Sequence, residues 1–170
     1  DNITMIPLAS SSKFFNDQLA LDDDKHKHDV VFVGLYKPER AKILEPLKDF
    51  DFRVYGHGWD GAEKDFPWLT GKIGGPVPVE ELPKIFSNAK IAIGSLGISF
   101  ERDLPTLTQR VFDIALVNGF QLSQWNPLTE STFGDAVPLF KSSDELGSKI
   151  RYYLDKPDER ANLARRAFAI

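Results

Sequence analysis

Cysteine does not occur anywhere in the 170 residues. That excludes a disulfide frame, a zinc–thiolate site and a thiol nucleophile, and it fits a cytoplasmic location. Clustered basic charge is missing too. The formal net charge is -4 and the isoelectric point near 5.4, whereas a nucleic-acid binder shows a face of grouped Lys and Arg. No uncharged apolar stretch comes near the length of a bilayer-spanning helix, and the start shows no signal peptide. No internal repeat is present. The chain opens at Asp1 without a methionine and ends on Ile170, so it reads as a piece of a longer protein. What it does have is the composition of a soluble globular domain, 42% hydrophobic and 27% charged, in a chain long enough to bury its own core.

Residues 1–28 differ from the rest. Ile3 to Leu8 reads as a short strand ended by the serine run Ser10 to Ser12, and Leu21 to His28 as a solvated linker. Asp22-Asp23-Asp24 has the look of an Asp-x-Asp metal site, but no further ligands cluster around it, so a charged loop is the better reading. From Asp29 onward, strand-like and helix-like runs alternate. Asp29 to Gly34, Phe52 to Gly56, Lys90 to Ser95, Phe120 to Ser123 and Val137 to Phe140 read as strands. Helices are expected over Pro38 to Asp49 (interrupted by Pro46), Pro78 to Asn88, Thr106 to Val117, Ser143 to Asp155 and Pro157 to Ala167. This alternation predicts an α/β, Rossmann-like parallel sheet with helices on both faces.

In such a sheet, ligands bind where strands end and helices begin. Gly34 to Arg40 is the first junction. Its glycine lets a phosphate approach the backbone, but it lacks the three-glycine dinucleotide fingerprint. Arg40 there reads equally as a phosphate contact or as a solvated helix residue. The second junction surrounds Trp59 with Gly56, Gly58 and Gly61, and the indole either faces something planar or covers the core. His57 beside it reads as structural. At the third, Gly94-Ser95-Leu96-Gly97, Ser95 either hydrogen-bonds a phosphate or caps a loop. Phe100 to Pro105 then forms a connection that could close over a ligand. The fourth is the opening of the helix at Thr108, Gln109 and Arg110. Free amides and a cation there favour an anion, with Asp113 one turn deeper. An ordinary Arg–Asp pair at helical spacing is the competing explanation.

Taken together, these segments resemble the C-terminal half of a GT-B-fold glycosyltransferase, close to the CgeB (spore maturation protein) group. The resemblance runs through Val31-Phe32-Val33-Gly34 with Arg40, Val54-Tyr55-Gly56 with Gly58-Trp59, Leu69 to Ile73, and Phe86 to Ile91. It is strongest at Arg110-Val111-Phe112-Asp113 and Gly119-Phe120-Gln121-Leu122, and continues through Ile150 to Leu154 and Pro157 to Arg160. It implies a linker over residues 1–28, leading from an absent N-terminal domain, and a nucleotide-sugar (donor) binding domain over 29–170. The base would lie near Trp59 and Ile73, and Gly56 would belong to the nucleotide-sugar site. The diphosphate would lie at Gly34, Arg40, Ser95, Thr108, Gln109 and Arg110. Asp113 stands where the family usually has a glutamate that holds the ribose. Pro105 and Asn118 depart from the family pattern as well. The implied activity is hexosyl transfer from a nucleotide-diphosphate sugar to an acceptor, without cofactor or obligatory metal. It would require the absent N-terminal domain, so the fragment alone would be inactive. The alternatives are a degenerate domain serving protein contacts and a nucleotide-sugar epimerase half.

Overall fold

The computed structural model describes residues 10–19, 22–96 and 107–170. The strand expected over residues 3–8 and the connection expected over 100–105 lie outside these. Six strands form one parallel sheet: β1 (Val30–Val33), β2 (Phe52–Tyr55), β3 (Ile73–Gly75), β4 (Ile91–Ile93), β5 (Gln121–Gln124) and β6 (Leu139–Phe140). Their order is β3-β2-β1-β4-β5-β6, and every pairing is parallel. The chain winds outward from β1 through β2 to β3, then crosses back to β4 and winds the other way. The change of direction leaves a crevice beyond the C-terminal ends of β1 and β4.

Alternation along β1 divides the core into two layers. Val30 and Phe32 pack with Ala41 and Leu44 of α1 (Pro38–Leu44), Leu146 and Ile150 of α5 (Ser143–Leu154), and Leu163 of α6 (Pro157–Phe168). Val31 faces the other way, toward Ile85 and Phe86 of α2 (Leu82–Asn88) and Ile114 of α3 (Gln109–Leu116). Helices therefore cover both faces, as an all-parallel sheet requires.

Local chemistry sets the ends. Pro46 stops α1 at Leu44, and Glu45–Asp49 continues as a 3-10 turn. Ser142 caps α5 by accepting from the Glu145 amide at 3.1 Å. α3 closes on Asn118, whose φ of 54° is left-handed. The Asn118 amide donates to Ala115 O at 2.9 Å and the Gly119 amide to Ile114 O at 3.0 Å, a Schellman closure. Asparagine in place of glycine at 118 is thus accommodated, because it is the side chain that best tolerates this conformation after glycine.

Two expectations change. β3 and α4 (Pro127–Phe133) were not anticipated. The stretch before Asp29 is not uniformly solvated either. Phe15 is buried against Val31, Tyr55 and Phe86, because the α2 face of the sheet leaves it an apolar slot. His26 is buried between Asp23 (3.0 Å) and Glu81 (3.5 Å). Asp22 and Asp24 pair with Lys27 at 2.8 and 2.7 Å, which accounts for the acidic run without a metal.

The crevice depends on Gly56, with φ of 131°. A Cβ there would lie 2.2 Å from the Gly34 carbonyl oxygen, whereas one on Gly71, also at positive φ, would meet nothing within 4 Å. Gly56→Ala is expected to destabilise the chain by more than about 3 kcal/mol, and Gly71→Ala by about 1 kcal/mol. Urea denaturation of both variants measures the difference.

Candidate functional site

Arg40 on α1 and Arg110 at the first turn of α3 come from opposite faces of the sheet and converge over the end of β1. The Arg40 Nη1 donates to Leu35 O at 2.7 Å, and Arg110 Nη1 donates to Gly94 O at 2.9 Å. These carbonyls belong to the segments following β1 and β4, so each guanidinium is tied to the rim of the crevice. Neither forms a salt bridge with a carboxylate of the described residues, and Arg40 Nε is buried without a partner. Burial lowers the pKa of both groups. For Arg110 burial acts first and the neighbouring Arg40 charge second, bringing it to about 10, while Asp113 opposes them.

Asp113 lies one turn into α3 and is 7% exposed. Its Oδ1 has no hydrogen-bond partner. Burial raises its pKa, against the lowering influence of Ser10, Gln109 and Arg110. Thr108 is the N-cap of α3, yet its Oγ1 makes no capping bond and is buried without a partner. A cation pair and an unpaired hydroxyl thus stand at the start of α3, with an unpaired carboxylate oxygen one turn farther along. Buried polar atoms left in this way mark a place where a ligand can supply the missing partners.

The other expected residues divide. Gly34 sits between the arginines: a Cβ there would be 2.8 Å from Phe32 Cζ and 3.0 Å from Arg110 Nη2. Ser95 is buried, with its amide donating to Ser123 Oγ at 3.2 Å. Gln109 opens α3 on the exposed side. Gly56 packs against the Gly34 backbone. Trp59 does not line the crevice. It is fully buried, edge-on to Phe32 and Tyr36, and its indole N–H donates to Gly34 O at 2.8 Å. The structure therefore corrects the planar-ligand expectation: Trp59 supports the Gly34 loop from beneath and offers no open ring face. Ile73, half-buried on β3, has β2 between it and β1.

Sequence reasoning missed Phe32, Gln121 and Ser123. Gln121 Nε2 donates to Val111 O at 2.8 Å, and its Oε1 is buried without a donor. Gln121 Oε1 and Ser123 Oγ lie 2.3 and 2.4 Å from where a Gly94 Cβ would stand, so only glycine lets β4 end there. The available signal was two polar residues at alternate positions of an otherwise apolar strand. Elsewhere, a cleft of about 690 Å³ opens at the entry to β6, lined by Glu130, Asp135, Pro138, Glu159 and Arg166 among others. Its polar groups already pair, Asp135 with Arg166, Glu130 with Trp125 and Glu159 with Tyr152. No group of three or more His, Asp or Glu among the described residues could hold a metal ion, and no described helix is long and apolar enough to cross a membrane.

Residues 40–170 match the pattern of a family described as glycosyl transferase-like. Sucrose-phosphate synthase from Thermosynechococcus elongatus is similar in structure at a TM-score of 0.70 and 13% identity, over 96% of this chain and 46% of that one. AviGT4, a glycosyltransferase involved in avilamycin A biosynthesis, gives a TM-score of 0.62 and 16% identity, over 99% of this chain and 53% of that one. The C-terminal CMP-Kdo binding domain of WaaA from Acinetobacter baumannii gives 0.59 and 13%, over 85% and 89%. The chain thus spans about half the length of the first two proteins and most of the third, an isolated domain. No curated protein matches it. At these identities the likeness is one of fold, that of a GT-B half-domain.

Asp113 makes stability pH-dependent. A carboxyl whose folded pKa is raised above its unfolded value of 3.8 stabilises the fold fully only below that value and loses this contribution as pH rises through the folded pKa. Asp113→Asn is therefore expected to be more stable than the native chain at pH 7 and equally stable near pH 3. Paired denaturation curves at the two pH values check this.

Proposed function

We propose a function from one premise: the chain belongs to the glycosyl transferase-like family. It is the donor-binding half of a glycosyltransferase that moves a hexosyl group from a nucleoside-diphosphate sugar to an acceptor. The observation that carries this reading is the convergence of Arg40 and Arg110 on one crevice with no salt bridge from either to a carboxylate of the described residues. Two half-buried like charges are unfavourable until an anion joins them. A diphosphate carries the charge that two guanidiniums need, and it can also take amides at the N-terminus of α3.

In this reading Arg40, Arg110 and those amides stabilise the diphosphate as the glycosidic bond to it breaks, so no metal is required of this half. Gly34, Ser95, Thr108 and Gln109 surround the same anion. Asp113 accepts a ribose hydroxyl, which supplies the donor its Oδ1 lacks. Gly56 and Ile73 border the base, and Trp59 acts indirectly by holding the Gly34 carbonyl. The acceptor site and the rest of the machinery belong to an N-terminal domain, in keeping with neighbours about twice as long. The CgeB-like group and a cytoplasmic setting are parts of the same proposal, as is the inactivity of this half alone. T4 phage BGT, whose structure holds UDP-glucose, and the CMP-Kdo binding domain of WaaA have the fold in common with this chain and bind nucleotide sugars.

Calorimetric titration with UDP, GDP, dTDP and ADP tests the reading. One of them is expected to bind saturably, with affinity falling steeply as salt rises. Arg110→Met should weaken binding more than about tenfold. The free variant should nonetheless be at least as stable as the native chain. The charged form of a group whose pKa is depressed to about 10 burdens the fold at every pH below that value. Undiminished binding by Arg110→Met would contradict the assignment.

A further inference from the structure

Two guanidiniums that repel each other must be held in the crevice by something other than a carboxylate. Arg110 is tied to the rim at one end of its fork by Gly94 O, and Arg40 at one end by Leu35 O and more loosely at the other by Leu96 O, 3.5 Å away. What the two have in common is Phe32. The Arg110 Cζ lies 5.0 Å and the Arg40 Cζ 5.7 Å from the centroid of its ring. Both are within the ~6 Å over which the negative face of an aromatic ring attracts a cation, an attraction that strengthens when water is excluded. Phe32 is fully buried and Arg110 half-buried beside it, so the cations meet the ring on its partly dehydrated side.

The ring is itself held in place. Trp59 meets it edge-on, with centroids 6.3 Å apart and planes at 79°, and the same indole anchors the Gly34 carbonyl at 2.8 Å. Gly34, lacking a Cβ, leaves room for the ring tip and the Arg110 Nη2 beneath the loop. Val30, Val31 and Val33 fill the other positions of this strand with aliphatic side chains. An aliphatic residue at 32 could also fill the core, but it would offer the cations no electron-rich face.

We propose that Phe32 is a positioning residue of the site: its ring face takes the place of a counter-ion, holding Arg40 and Arg110 charged and aimed at one diphosphate before the ligand arrives. Phe32 need not touch the ligand. It acts through the two arginines, and the proposal rests on the donor-site reading above.

Fluorination tests it, because each fluorine drains the ring face while hardly changing its shape. The 170-residue chain would carry mono-, di- and trifluorophenylalanine at position 32, in the native background and with Arg40→Met and Arg110→Met together. Two quantities are read: affinity for inorganic pyrophosphate, which removes the base from consideration, and stability in urea. In the native background the affinity should fall stepwise, reaching about three- to tenfold for the trifluoro ring. Stability should fall stepwise too, whereas in the double-methionine background it should no longer follow the number of fluorines. Affinity indifferent to fluorination, or an equal stability slope in both backgrounds, would overturn the role of Phe32. If the native chain binds no pyrophosphate, the donor-site reading fails instead. The stability slopes still decide whether the ring and the cations are coupled.

Discussion

Partly burying two guanidinium groups over one aromatic ring opposes folding, and the upper edge of this sheet is arranged around that opposition. The arginines arrive from helices on opposite faces, α1 and α3, and meet where the strand order reverses between β1 and β4. The carbonyls of Leu35 and Gly94, the ring of Phe32 and Asp113 one turn along α3 moderate the repulsion without cancelling it. A site in this state carries a standing electrostatic deficit that an anion removes. That deficit is a source of affinity as well as a cost, since whatever is lost in stability can be regained on binding.

The parts that do not touch the crevice serve its shape. Trp59 reaches up from the core to hold the Gly34 carbonyl, and Gly56 lets the second strand end directly beneath it. On the other side, Gly94 permits β4 to end against Gln121 and Ser123, which places the carbonyl that Arg110 grips. The C-terminal closure of α3 at Asn118 and Gly119 sets the start of β5, and so the position of those two side chains. Gly34, Gly56 and Gly94, at three of the four strand-to-helix junctions, therefore act by what they allow to approach.

Much of this was legible before any coordinates. The β-branched runs of β1 and β4, the break at Pro46 and the cap at Ser142 are local chemistry, and the four junctions follow from alternation alone. What stayed hidden depended on distant contacts. Ile73-Gly74-Gly75 has weak strand character and becomes β3 by pairing along β2. α4 buries only Thr129 and Phe133, too few apolar positions in its seven residues to show a helical period. Trp59 sits among glycines like a loop residue, and only the Gly34 carbonyl explains why the ring turns inward. Phe15 adjoins Phe14 in an otherwise polar stretch, and nothing local marked which of the two rings would turn into the core. Phe32 was hidden for the opposite reason: in Val-Phe-Val it reads as core, and its second role appears only when both arginines are placed around it.

The account depends on Arg40 and Arg110 forming one anion site. The most direct measurement is an NMR titration of the arginine side-chain Nε–Hε signals with inorganic pyrophosphate. The account predicts that the Arg40 and Arg110 signals shift together and saturate at one concentration, while those of the surface residues Arg151 and Arg165 drift only weakly with ionic strength. If Arg40 and Arg110 respond no more than Arg151 and Arg165, or saturate at separate concentrations, the two guanidiniums do not form one site and the central claim is wrong.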